Sequence, residues 1–276
     1  RHFSKHTIRA YAVDLDDYVN FCKSYDNREF IKLKKEAIQA YLQQLSKKGL
    51  SAKTLARRLA SIKSLYKFLL KNKIVNTNIA ILVKTPKIPK NLPHYLSLEE
   101  ARKILILPEG DDEFALRDRL ILELFYATGI RISELVMIRF KDIRHEEGLI
   151  FISGKGSKER FVIFAKKVRS TLDNYIKLLV DRNMHGDDYY LFPSIRKNKN
   201  DIFGHISQRT IFNIVKRYMR KISDDEKLSP HSLRHTFATH MLNNGADIMA
   251  IKDLLGHGSL SSTQVYTHLQ PKKLKK

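Results

Sequence analysis

The sequence predicts a mainly α-helical protein with a small β-sheet in its second part, built as a helical N-terminal domain followed by a larger mixed α/β domain. Three observations predict this. Apolar residues recur at helical spacing through most of the 276 residues. One pair of short β-branched and aromatic runs flanks a glycine turn at 149–164. Between the two regions, KTPKIPKNLPHY at 84–95 carries three prolines and three lysines with no apolar period. Proline biases its preceding residue away from helix, so this stretch reads as an extended basic linker, with domains at 1–83 and 96–276.

The elements follow in order. From Thr7 to Tyr25, Ile8, Tyr11, Leu15, Tyr18 and Val19 share a helical face, with Cys22 as a buried bystander. A second helix runs from Leu33 to Leu45 and stops at Lys47-Lys48-Gly49. Ser51 is the N-cap of a third, whose apolar face holds Leu55, Leu59, Ile62, Leu65, Tyr66 and Leu69 and whose other face holds Lys53, Arg57, Arg58, Lys63 and Lys67. After the linker, Ser97-Leu98-Glu99-Glu100 opens a helix, and Arg117 to Thr128 forms an apolar helix closed by a left-handed Gly129. Leu149–Ser153 and Arg160–Phe164 pair as a hairpin around Gly154-Lys155-Gly156-Ser157-Lys158-Glu159. Helices are expected at 165–182, 207–222, 230–244, 247–255 and around 259–268.

Composition narrows the function. There are 51 Lys+Arg against 29 Asp+Glu, a net charge of +22 and a pI near 9.9. Residues 1–90 carry 20 basic and 6 acidic residues and the remainder 31 and 23, so the first third is the more basic. Such an excess points to a polyanion, because each phosphate neutralised by Lys or Arg releases a condensed counterion. The basic face of the third helix then reads as a DNA-contact stripe of Lys53, Arg57, Arg58, Lys63 and Lys67, against the plainer alternative of a solvated helix surface. A single cysteine excludes an intramolecular disulfide and a Cys-rich zinc site. No apolar run reaches the length of a membrane span and no signal-peptide pattern opens the chain, so a cytoplasmic or nucleoid-associated protein without membrane partners is expected.

Four stretches carry candidate chemistry. GKGSKE at 154–159 is not a nucleotide P-loop: Gly148 lies one residue too far from Gly154, and Gly156 follows Lys155. Lys155 on a glycine-flanked turn can instead reach toward a phosphate. PHSLRHTFATHML at 230–242 places His231 and His235 at i, i+4, a metal-compatible spacing, but Arg234 lies between them and the glutamate of a zinc-protease motif is missing. His231 with Arg234 suits a phosphate better, since a guanidinium offers paired donors and an imidazole exchanges a proton near neutral pH. His235 and His240 fit helix packing. In ATGIRISEL at 127–135, Arg131 opens a helix with Glu134 one turn on, able to orient it. LLGHGSLSSTQVYTH at 254–268 brings His257 and Tyr266 near the end of the sequence.

Together and in this order these motifs, with SKHTIRAYAVDLDDYVNF at 4–21 and SAKTLARRLASIKSLYKFL at 51–69, resemble the tyrosine recombinase (phage integrase) family, and within it the Xer type. The resemblance covers nearly the whole chain. It implies a SAM-like, core-binding helical N-terminal domain and an α/β catalytic domain that close around duplex DNA. It makes Tyr266 the nucleophile that forms a 3′-phosphotyrosyl link and Arg131 and Arg234 the stabilisers of phosphorane charge. Lys155 becomes the general acid for the leaving 5′ oxygen, His231 the proton acceptor beside the tyrosine, and His257 a donor to a phosphate oxygen. Glu134 is expected to orient Arg131. The implied chemistry uses neither metal, cofactor nor ATP. The implied partners are duplex DNA bearing an inverted-repeat site, further copies of the chain as a tetramer on two sites, and a paralogous recombinase or an activating protein.

Ten residues follow Tyr266, fewer than the docking helix of family members would need, so either a short exchange element or a sequence clipped at both ends is expected. Resolution of chromosome dimers at a dif-like site is the leading role. Integration or excision of a mobile element uses the same chemistry. A type IB topoisomerase is disfavoured by the front domain and motif spacing, and a non-catalytic DNA-binding protein by the complete set of six candidate residues.

Overall fold

In the computed structural model, residues 5–26, 30–89, 94–153, 159–197 and 203–256 are described. The chain divides into two compact units, Arg1–Asn91 and Leu92–Lys276.

The first unit is a small helical bundle of α1 (Lys5–Tyr25), α2 (Lys35–Lys47) and α3 (Ala52–Lys71), with short 3-10 turns at Phe30–Lys32 and Ile79–Leu82. Ser51 caps α3 through its hydroxyl, which accepts from the Thr54 amide. Its core is rich in tyrosine: Tyr18, Ile38, Tyr41, Leu59, Ile62 and Tyr66 are all buried. A buried tyrosine needs a partner for its hydroxyl, and the Tyr66 hydroxyl donates to the Phe30 carbonyl at 3.0 Å. Tyr41 donates to Asp17 at 2.8 Å. Cys22 is buried, as its place in the helical pattern predicts.

The second unit is organised around α5 (Glu113–Thr128), which buries Leu116, Leu120, Ile121, Leu122, Leu124 and Phe125. A helix apolar all round must be surrounded. It packs against α4 (Leu98–Ile106), α7 (Lys166–Asp181), α8 (Gln208–Met219) and α9 (Pro230–Asn243). The one-turn α6 (Ile132–Leu135) follows α5, and α10 (Ile248–Leu255) follows α9. Strands β1 (Ile143–Arg144), β2 (Leu149–Ser153) and β3 (Glu159–Ile163) form an antiparallel sheet in that order. The β2–β3 register pairs Ile150 with Val162 and Ile152 with Arg160. Residues opposite one another share a face, so Ile150, Ile152, Val162 and Arg160 lie on the core side while Phe151, Phe161 and Ile163 lie on the other.

The fold is the mainly α, small-sheet architecture the sequence predicts, with one addition. A second antiparallel pair, β4 (Pro193–Lys197) and β5 (Phe203–His205), lies where the sequence suggests no strand. Its segments are too short and too polar to show a period of two, and non-local pairing decides them. The helix expected around 259–268 lies outside the described residues.

Candidate active site

The site is assembled at the C-terminal end of α10. The last carbonyls of a helix have no partner inside it and carry partial negative charge. Here three consecutive ones each receive a guanidinium from a different element. Arg160 on β3 donates from Nε to Leu254 at 2.8 Å. Arg234 on α9 donates from Nη2 to Leu255 at 2.5 Å. Arg131, at the head of α6, donates from Nη2 to Gly256 at 2.9 Å. Gly256 ends α10 in the left-handed conformation, with φ 61°.

The other side of the site is the end of α5. Gly129 caps that helix with φ 59°, its N–H bonded to the Phe125 carbonyl, and its own carbonyl accepts from Arg234 Nη1. A side chain there would meet Phe237 and Leu255, so the close approach of α5, α9 and α10 requires glycine. The left-handed turn throws the chain back so that Arg131 emerges two residues later. Arg131 and Arg234, 103 positions apart in sequence, are thereby tied to adjacent carbonyls of a single turn.

Glu134 is buried beneath this pair. Its carboxylate accepts from the Arg131 amide at 3.0 Å, from Arg131 Nη1 at 2.7 Å, and from Arg160 Nη1 and Nη2 at 3.2 and 2.9 Å. Burial alone would raise its pKa, but the bonds from Arg160 and Arg131 outweigh it and hold the carboxyl below the ordinary carboxylate value. Glu134 is therefore an anion fixing two guanidiniums, the orienting arrangement expected for Arg131. Arg160 carries as many bonds here as Arg131, yet motif reading assigns it no role. The signal was available: in RFVIF an arginine occupies the same inward phase of the strand as Val162.

On α9, His231 is exposed while Arg234 runs inward and keeps only 6% of its surface. The arginine thus lies within the fold and the histidine at its surface. Burial first, then the charges of His231 and Arg234, lower the pKa of His235 and favour its neutral form. His240 packs edge-on to Tyr126, whose hydroxyl lies 3.1 Å from Nδ1, and its Nε2 lies 3.1 Å from the Leu96 carbonyl. Thr236 also holds that segment, its hydroxyl accepting from the Leu96 amide at 2.9 Å. Lys155, His257 and Tyr266 lie outside the described residues; in sequence, Lys155 falls between β2 and β3, and His257 directly follows Gly256. Among the described residues, no three His, Cys, Asp or Glu side chains are grouped so as to hold a metal ion.

The basic stripe on α3 divides in two. Lys53 and Lys67 are exposed and Lys63 is half-buried with Nζ 3.3 Å from the Thr85 hydroxyl. Arg57 pairs with the buried Asp14. Arg58 is drawn inward, bonded to Asp17 and, at 2.5 Å, to the Tyr41 hydroxyl.

Comparison with known proteins agrees over both units. The phage integrase family model matches residues 94–273, and the phage integrase N-terminal SAM-like domain matches residues 1–73. Tyrosine recombinase XerC of Thermodesulfovibrio yellowstonii is 38% identical over 275 residues, covering 98% of this chain and 88% of the relative. Tyrosine recombinase XerD of Halalkalibacterium halodurans is 33% identical over 280 residues, covering 100% and 91%. Among solved structures, XerA recombinase is 30% identical with a TM-score of 0.55, covering 98% of this chain and 89% of that one. XerH bound to its palindromic difH substrate shares the fold, with a TM-score of 0.75 at 24% identity and coverage of 97% and 77%. With family models covering both units and relatives above 30% identity over nearly its full length, the chain belongs to the phage integrase family, as a tyrosine recombinase of the Xer type.

Proposed function

We propose that the chain performs site-specific strand exchange on duplex DNA, with Arg131 and Arg234 activating the phosphodiester that Tyr266 attacks. The observation that supports this most directly is the seating of both guanidiniums on adjacent carbonyls, Leu255 and Gly256, one peptide bond before His257. Transition-state charge is best stabilised by donors already fixed in place, and such donors act more strongly where water is excluded. Arg234 is almost fully buried and Arg131 is held on two sides, so little reorganisation remains for the chemical step.

In the proposed reaction the Tyr266 oxygen attacks phosphorus, its proton passing to His231, and the P–O5′ bond breaks. Lys155 protonates the departing 5′ oxygen, and His257 donates to a phosphate oxygen. The 3′-phosphotyrosyl link conserves the phosphoester bond, so attack by a 5′ hydroxyl of the exchange partner rejoins DNA and releases Tyr266 without ATP. The two units together would grip an inverted-repeat site, the exposed lysines of α3 contributing phosphate contacts, and four copies would join two sites. The role proposed is chromosome-dimer resolution in the cytoplasm, with mobile-element integration as the alternative; likeness to proteins named tyrosine recombinase XerC and XerD supports a Xer-type reaction. No described helix is long and apolar enough to cross a membrane.

The test is a duplex nicked so that the cleaved fragment diffuses away and the covalent adduct accumulates. Wild-type chain should form an adduct stable to denaturation, and Tyr266→Phe should bind the same duplex without forming one. An adduct in the phenylalanine variant would remove Tyr266 from the role.

A further inference from the structure

We infer that Arg160 is a positioning residue for strand cleavage, acting on Arg131 through Glu134 and on the entry to His257 through the end of α10. The inference rests on the reading of Arg131 as a phosphate-activating group. It goes beyond that reading by adding a residue that acts through Arg131 instead of on the phosphate itself.

Three observations carry it. Arg160 spends its fork on the two oxygens of Glu134, at 3.2 and 2.9 Å, and its Nε on Leu254 at 2.8 Å. All three guanidinium nitrogens are thus engaged within the protein, two of them by a single carboxylate. Glu134 in turn binds Arg131 on the opposite flank. Finally, Arg160 packs directly against the Gly256 turn: a Cβ on Gly256 would lie 3.0 Å from Arg160 Nη1.

The physical consequence concerns a shared anion. Glu134 is buried with two cations competing for it, and each fixes where the other can sit. Without Arg160, the carboxylate loses two donors, and Arg131 is its nearest remaining source. Arg131 would then be pulled further onto Glu134 and away from Gly256. The Leu254 carbonyl would simultaneously lose its donor, loosening the turn that leads into His257. Lysine cannot replace the arginine, because one ammonium cannot span both carboxylate oxygens and a helix-end carbonyl in the same planar geometry.

The experiment uses the full chain and the nicked duplex, following adduct formation in single turnover. Arg160→Ala should lower the first-order rate constant about a hundredfold, the scale of a misplaced catalytic group. The affinity for the same duplex and its salt dependence should stay at wild-type values, because no phosphate contact is lost. Arg160→Lys should also be slow, and it serves as the test should the alanine variant not fold. Combined with Glu134→Gln, the rate losses should be strongly non-additive. A role confined to stability would instead lower the amplitude of adduct and leave the rate constant of the active molecules unchanged. That result overturns the inference, as does a salt slope reduced by about one, which would mark a direct phosphate contact. A wild-type chain that forms no Tyr266-dependent adduct would refute the proposed function; a normal rate in Arg160→Ala beside an active wild type refutes only the positioning role.

Discussion

Replacing Gly129 with alanine tests whether the end of α5 is as tightly constrained as the site requires. Gly129 has φ +59°, where an L side chain costs about 1–2 kcal/mol. Its Cβ would also lie 2.6 Å from Phe237 Cδ1 and 2.7 Å from Leu255 Cδ2, both in the small core of α9 and α10. Overpacking of this kind adds about 1–3 kcal/mol. The sum is about 2–5 kcal/mol, on the scale of typical protein stabilities of about 5–15 kcal/mol. Gly49 supplies the control: it also has positive φ, +81°, but nothing lies within 4 Å of its would-be Cβ, so alanine there should cost only the backbone portion. Native-state hydrogen exchange reads the two units separately. Amides of α5 and α9 should lose protection in Gly129→Ala by about tenfold per 1.4 kcal/mol, and those of α2 and α3 should lose markedly less in Gly49→Ala. Equal losses in the two variants would refute the argument that side-chain collision, beyond backbone conformation, demands glycine at 129.

Three further outcomes are expected. Both carboxylate oxygens of Glu123 are buried, and that burial raises its pKa despite the opposing Thr171 hydroxyl, Lys167 and Arg119. A raised folded-state value means that the stabilising contribution is complete below the unfolded pKa and is lost as pH rises through the folded one. Glu123→Gln should therefore gain stability relative to wild type as pH rises toward neutral, and parallel pH–stability curves would contradict this. On α3, Lys53→Ala and Lys67→Ala should each lower DNA affinity whatever the base sequence and reduce the salt slope by about one, with folding intact. Arg58→Ala should instead cost about 1–3 kcal/mol of stability, because Asp17 and the Tyr41 hydroxyl each lose a charged donor and the buried Asp14 loses one of its two arginines; a pure affinity loss with unchanged denaturation would reverse that assignment.

Much of the local structure was legible in the sequence because it depends on short-range chemistry. Ser51 and Ser97 signal helix starts by offering a hydroxyl to an orphan amide, and both do so. Gly129 signals a left-handed stop, and the alternation in LIFIS and RFVIF specifies a hairpin whose core face is Ile150, Ile152 and Val162. The motifs bearing Arg131, Lys155, His231, Arg234, His257 and Tyr266 were readable for the same reason, since each is a compact run with its own spacing.

The sequence by itself determined the helices, their caps, the hairpin, the basic character and the set of chemical groups available for phosphate chemistry. Only the tertiary structure decided which of the described basic groups are engaged within the fold. Arg57 and Arg58 look like Lys53 and Lys67 along one helix, yet Asp14 and Asp17 on α1 engage them. Arg160 reads as one more basic residue at a hairpin, yet it locks Glu134 and Leu254. The gathering of Arg131, Arg160 and Arg234 on three successive carbonyls joins residues far apart in the chain. Periodicity and capping are set by neighbours within a few positions, whereas a helix end with unpaired carbonyls recruits donors from wherever packing brings them close.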